Sequence, residues 1–208
     1  MEKLSGTKEL IFDAFVEMIS ALGYENVSMR DIAEKVGIKG SSIYNHFESK
    51  GKILECAYNY YSNHFYDNRT PVDAVKKNIE TASAEEIVNS FSYTFESEDQ
   101  KKYMRMILIT KIIYMRLFQD PIAKAVFTST DTNNIEYVVS ILKHGVDIGR
   151  IDPGLNIEIF AEVLVGAKTI MGVRAFAGSS YVAGQIEREL QITALFMRLL
   201  SYSLKNKT

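Results

Sequence analysis

One cysteine, Cys56, is all that the 208-residue chain carries, which excludes an internal disulfide and points to a reducing, cytoplasmic setting. No uncharged apolar run approaches the ~18 residues of a membrane-spanning helix, and residues 1–6 lack the apolar stretch of a signal peptide. No membrane partner is therefore expected. The three prolines, Pro71, Pro121 and Pro153, leave long uninterrupted stretches, and strand-like alternation, internal repeats and glycine-rich phosphate loops are missing. The net charge of −2 gives no bulk electrostatic case for nucleic acid. His46, His64 and His144 stand far apart with no serine or cysteine motif beside them, so no catalytic residues are assigned and the chain is not read as an enzyme. No cofactor or metal is expected, since His64, Asp67 and Cys56 read as a solvated helix face.

Apolar residues make up 47% of the chain and charged residues 24%, the balance of an ordinary globular protein with ample material for a core. Apolar side chains recur at three- and four-residue spacing, so the fold class is all-α. The first helix is predicted over about 7–22, with Leu10, Ile11, Ala14, Phe15, Met18, Ile19 and Leu22 as its stripe and Gly23 as its stop. Further helices are predicted at about 49–67, 72–82, 84–97, 99–119, 131–149, 155–178 and 184–205.

Residues 28–50 are the most informative stretch. Ser28 and Asp31 form a capping-box pair at the start of a short helix whose inner face is Ile32, Ala33 and Val36. Gly37 permits a tight turn, Ile38 plugs the corner, and a third helix over about 40–47 buries Ile43 and Phe47. Ser41, Ser42, Asn45 and His46 point outward with Tyr44 at the flank, and Ser49 caps the next helix. Two short helices around a glycine turn, with small polar and basic groups outside, fit a helix-turn-helix whose second helix enters the DNA major groove. From 28 to 52, Arg30, Lys35, Lys39, Lys50 and Lys52 stand against Asp31, Glu34 and Glu48, a balance of +2. Such a weak basic patch means that DNA affinity has to come from placement.

The stretch from about 7 to 60 resembles the N-terminal domain of the TetR family of bacterial transcription regulators. The likeness rests on the helix of about 7–22, Ser28 with Ile32-Ala33, Val36-Gly37-Ile38, the run Ser42-Ile43-Tyr44-Asn45-His46-Phe47, and Ser49-Lys50. The resemblance implies that Tyr44, His46 and Lys50 contact phosphates. Ser28, at a helix N-terminus, and Arg30 join them. Lys39, Gly40, Ser41 and Ser42 then lie at the base edges, Asn45 suits a bidentate pair with adenine, and Gly40 lets the helix approach closely. Many members carry an acidic residue where Gly51 stands, and a glycine there weakens the following helix by up to ~1 kcal/mol relative to alanine. The resemblance also implies a double-stranded, palindromic operator, a homodimer, a small-molecule effector and, most often, repression.

Two domains follow: a three-helix helix-turn-helix domain over 1–48, and a larger helical ligand-binding and dimerisation domain over 49–208. The helix at 99–119 is apolar around most of its circumference and is expected to be central. Ten of the twelve tyrosines lie beyond residue 50. An effector cavity is expected among the helices at 50–66, 84–97, 99–119 and 155–178, lined by Tyr61, Phe65, Phe91, Phe95, Leu108, Ile112, Met115 and Phe118. The competing reading is a closed helical body in a ligand-independent DNA-binding or partner-assembly protein. On the last helix Ile186, Leu190, Ala194 and Met197 form one stripe and Ile192, Leu195, Phe196 and Leu199 another. On the helix before it, Ala161, Gly166, Ala167 and Gly172 allow close approach. The last two helices of each subunit are thus expected to build a dimer seam.

Overall fold

A computed structural model describes residues 4–66, 69–91, 100–176 and 185–204. Among these the secondary structure is helical, apart from an isolated antiparallel bridge between Ile151 and Leu204. The α-helices are α1 (Gly6–Leu22), α2 (Met29–Val36), α3 (Lys50–His64), α4 (Val72–Asn78), α5 (Ala84–Ser90), α6 (Gln100–Arg116), α7 (Pro121–Asp147), α8 (Ile157–Phe176) and α9 (Gln185–Ser203). Short 3-10 turns span Tyr24–Asn26 and Ser42–Asn45. The chain divides into two compact units, Met1–Asp67 with Phe95–Thr128, and Asn68–Thr94 with Ser129–Thr208.

In the first unit α1 packs on α2, α3 and α6. Ile11, Phe12, Phe15, Val16 and Ile19 are buried along it, whereas Leu10 and Leu22 of the predicted stripe are exposed. A helix with three neighbours buries a wider arc than one stripe, and that arc turns toward Phe12 and Val16. Helix α3 adds Ile53, Leu54, Ala57, Tyr58, Tyr60 and Tyr61 to this core, and α6 adds Met106, Ile109, Ile112 and Ile113. The expectation that 99–119 is buried all round needs correction. Met104 and Met115 of α6 are exposed, and Phe118, past the end of the helix, is 95% exposed. The buried face is the one toward α1 and α3, with Tyr114 meeting the Phe127 ring of α7 at 5.9 Å, because the apolar count of a helix does not decide how many elements surround it. Charge fastens α6 to α1: Arg105 Nε donates to Asp13 at 2.6 Å and Nη2 to Glu9 at 2.6 Å, while Lys101 reaches Glu9 at 2.9 Å.

Helix α7 starts at Pro121, well before the predicted 131. Proline suits the first helical position because its missing N–H has no partner there anyway. Asp120 caps the turn, its Oδ1 accepting from the N–H groups of Ile122 at 2.9 Å and Ala123 at 3.4 Å. Helix α4 is shorter than predicted, ending at Asn78, and α5 runs from its Ser83–Glu86 capping box to Ser90, while residues 92–97 of the predicted helix lie outside the described residues. In the second unit Val75, Ile79, Ile87, Val88, Ile141, Leu142, Phe160, Leu164, Phe196 and Leu200 form the core. At Gly145 of α7 a Cβ would come within 2.6 Å of Ile151 Cδ1, so the buried Ile151 side chain would have to shift to admit one.

The last two helices show both faces that the sequence predicts, divided differently. On α9 Phe196 and Leu200 face the core, with Ile192 and Met197 partly buried against it, while Leu195, Leu199 and Tyr202 are exposed. The side chains of Ile186 and Leu190 lie outside the described residues. On α8 Phe160, Ala161 and Leu164 are buried, and Ile159, Val163, Ile170 and Val173 are exposed. Among the described residues no helix is long and apolar enough to cross a membrane, and no group of three metal-ligating side chains comes together.

Candidate nucleic-acid interface

Helix α2 is held at both ends by its own sequence. At the start, Asp31 N–H donates to Ser28 Oγ at 3.2 Å and Ser28 N–H donates back to Asp31 Oδ2 at 2.7 Å, a complete capping box. Hydrogen bonds from the Ser28 backbone and then its hydroxyl hold the Asp31 carboxyl below the usual range. The end is a Schellman closure: Gly37 is left-handed at φ 76, its N–H donates to Glu34 O at 3.0 Å, and Ile38 N–H donates to Ala33 O at 3.0 Å. Ile38 thereby packs on the core, as the corner residue should.

The element that follows is the 3-10 turn Ser42–Asn45, where a helix over 40–47 was expected. Ser42 N–H bonds to Lys39 O at 2.8 Å and His46 N–H to Ile43 O at 3.0 Å, the three-residue spacing of that turn. The stretch has only two apolar anchors, Ile43 and Phe47, both buried, so packing fixes two points and leaves the backbone winding to local bonds. Around those anchors Lys39, Gly40, Ser41, Tyr44 and Asn45 are exposed, and Ser42 and His46 half-buried. Among the described residues nothing lies within 4 Å of where a Cβ at Gly40 would stand, so packing there does not demand a glycine.

Three other predicted contacts have defined surroundings. Arg30 is exposed on the first turn of α2. The Ser28 hydroxyl is engaged with Asp31, donating to Oδ2 at 2.7 Å, so the free donors at this helix end are backbone N–H groups. Lys50 folds inward. Its Nζ donates to Tyr24 O at 2.7 Å and Val27 O at 2.8 Å and stands 4.1 Å from the centroid of the Tyr24 ring. Two of its three N–H donors are therefore used within the chain. Tyr24 was not singled out in the sequence: the partners it joins, Lys50 and Arg116, are distant along the chain, and a lone aromatic after a helix stop carries no signal. Arg116 lies 4.2 Å from the same ring, and burial pushes the Tyr24 phenol upward.

The predicted effector liners fall in both units. Tyr61 and Ile112 are buried in the first unit, where Phe65 and Leu108 pack partly buried against the same core. Phe91 is buried in the second unit's core, beside a small pocket of about 50 Å³, and Phe95 lies outside the described residues. Ile112 and Met115 share a cavity of about 170 Å³ in the first unit. Phe118 is on the surface. A larger groove of about 370 Å³, lined by Thr70, Val75, Asn78, Thr81, Glu86 and Ser90 among others, holds none of the predicted liners.

Residues 11–57, which carry this capped helix, glycine turn and polar edge, match the family described as bacterial regulatory proteins, tetR family. The likeness to the TetR family model is that of this N-terminal stretch. IcaR of Staphylococcus aureus, an HTH-type negative transcriptional regulator of the biofilm operon icaADBC, is 31% identical over 103 residues, 48% of this chain and 50% of IcaR. The chain thus spans about half the length of that relative. SrpR of Pseudomonas putida, an HTH-type transcriptional regulator, is 22% identical over 163 residues, 78% of this chain and 72% of SrpR. These relatives are regulators, not enzymes. Two solved structures share the TetR-like fold along almost the whole chain. The ketosteroid transcriptional regulator KstR2 of Mycobacterium tuberculosis superposes with a TM-score of 0.63 at 18% identity, covering 98% of both chains. A regulator from Saccharomonospora viridis in complex with choline superposes with a TM-score of 0.66 at 15% identity, covering 96% of this chain and 98% of that one.

Proposed function

We propose that this chain is a cytoplasmic, homodimeric DNA-binding transcription regulator of the TetR family, a repressor released from a palindromic operator by a small apolar or aromatic effector. The observation that carries the reading is the polar edge from Lys39 to Asn45, displayed to solvent and held rigid from beneath by Ile43 and Phe47. In this reading Lys39, Ser41, Ser42 and Asn45 meet base edges. Tyr44, His46, Arg30 and the first N–H groups of α2 meet phosphates. Lys50 shapes the surface from within, through the Tyr24 and Val27 carbonyls.

Homodimerisation is supported by an apolar surface left exposed among the described residues. Ile159, Val163, Gly166, Ile170 and Val173 of α8 fall within about 80° of one another at 100° per residue, and Leu195, Leu199 and Tyr202 continue the exposed apolar surface on α9. Pairing two copies there builds a four-helix seam and presents two readers, as a palindrome one DNA turn apart requires. The 370 Å³ groove supports an effector-responsive body over a closed one. Responsiveness needs an effector that prefers one of two states, since equal affinity for both shifts nothing.

Fluorescence anisotropy with the promoter upstream of the chain's own gene tests the reading. Tight, salt-sensitive, sequence-preferring binding is expected, and Asn45→Ala is expected to cost roughly 1–3 kcal/mol and relax the preference at one position. Pure protein that binds this and random DNA alike, without salt sensitivity, refutes it.

A further inference from the structure

The cavity of about 170 Å³ in the first unit lies beside the reader's supports. Its apolar walls are Ile19 of α1, the Tyr24 ring, and Ile112 and Met115 of α6; Asn26 and Gln119 add two amides. The cavity opens to solvent where Asn26, Met115 and Gln119 are exposed, and its volume is near the ~150 Å³ that admits a benzene ring in an apolar void. Thioether and aromatic walls suit a ring further, because methionine adapts its shape and favours aromatic contact. The polar part of the lining is selective. Asn26 Nδ2 donates one of its two N–H groups to Leu22 O at 2.8 Å, which leaves its amide oxygen able to accept from a newcomer. Arg116 is answered by Asp120 at 3.2 Å and by Glu25 at 3.5 Å, so the cavity has no net demand for an anion.

One wall of the cavity belongs to the reader's internal tie. The Tyr24 ring lies beside both Lys50 and Arg116, and the Tyr24 and Val27 carbonyls hold the Lys50 ammonium at the first turn of α3. Val27 leads directly into the Ser28 cap of α2. A ring entering between the 3-10 turn and α6 pushes on Tyr24, and through it on the carbonyls that position both reader helices.

We infer that this cavity is a binding site for single-ring aromatic compounds bearing one hydrogen-bond donor, the phenol class, and that its occupancy weakens DNA reading from within the reader's own unit. The binding half stands alone; the DNA half rests on the function proposed above.

Phenol is the probe, titrated into the full chain labelled at methionine methyls. The Met115 methyl resonance is expected to shift saturably with phenol and less with toluene, which lacks the donor. Gln119→Trp, at an exposed rim position, fills the cavity and is expected to abolish the shift, with circular dichroism verifying an unchanged fold. Asn26→Leu is expected to make phenol and toluene equivalent. Saturating phenol is expected to raise the promoter dissociation constant about fivefold or more in the parent and not in Gln119→Trp. A Met115 methyl unmoved by phenol up to its solubility limit, or a shift that persists in Gln119→Trp, overturns the site. A saturable shift with unchanged promoter affinity overturns the coupling. A chain that binds no DNA defeats the earlier reading, while the methyl titration still decides the site.

Discussion

Lys50→Met separates two roles for one side chain. As a phosphate contact, the role the family resemblance implies, each Lys50 displaces about one counterion, so a dimer carrying two loses about 2 from its salt slope on substitution. As an internal tie, Lys50 makes two charged hydrogen bonds, at 2.7 and 2.8 Å, and stands 4.1 Å from the Tyr24 ring centroid. Hydrogen bonds to charged groups are worth about 1.5–3 kcal/mol each, and a partly exposed cation over a ring adds about 0.5–1 kcal/mol. The site is only part-buried, so water recovers some of the two carbonyls' loss, which leaves about 2–3 kcal/mol. That is a large fraction of the roughly 5–15 kcal/mol that holds a domain folded. Urea unfolding of Lys50→Met is therefore expected to show this loss. Anisotropy over a salt series is expected to show weaker promoter binding with an unchanged slope. A variant as stable as the parent, with a shallower salt slope, refutes the internal role.

Further outcomes follow from the same contacts. Ser49→Ala removes the side-chain acceptor that Lys52 N–H uses at 3.2 Å at the start of α3 and is expected to cost about 1 kcal/mol in urea unfolding. Val163→Glu places a charge in the exposed stripe of α8; sedimentation is expected to give a single 23.6 kDa chain where the parent gives a pair, with promoter affinity falling alongside. Acid should release the α1–α6 tie. Hydrogen bonds from Arg105 and then Lys101 hold the Glu9 carboxyl below its ordinary 4.5, so its contribution is full above that pH and is lost as pH falls through the lower folded value. The stability difference between parent and Arg105→Gln should thus be largest near neutrality and shrink with acid, measured by urea unfolding across the acid range. A difference independent of pH would show that the carboxylate is not the partner that matters.

Much of the reader was legible because its signals are local. The Ser28–Asp31 box, the Gly37 turn, Ile43 and Phe47 as anchors and the Ser49 cap each depend on residues within one or two turns, where spacing alone decides which groups meet. The body was harder. Its apolar count announced helices, but not which of their faces had neighbours. Met115 and Phe118 were expected to line a cavity together; Met115 lies at one in the first unit, and Phe118 is on the surface. The start of α7 was missed because Pro121 reads equally as a break or as a first helical residue, and Asp120 decides between them by capping.

Helical class, turn chemistry and the exposed polar edge came from the order of residues alone, since all three arise from neighbours in sequence. Folding in three dimensions decided what long separation hides. It set Lys50 and Arg116 beside one tyrosine, tied Arg105 to Glu9 and Asp13, and left one stripe of α8 bare. Electrostatic and packing energies depend on distance in space, and distance along a chain does not determine it.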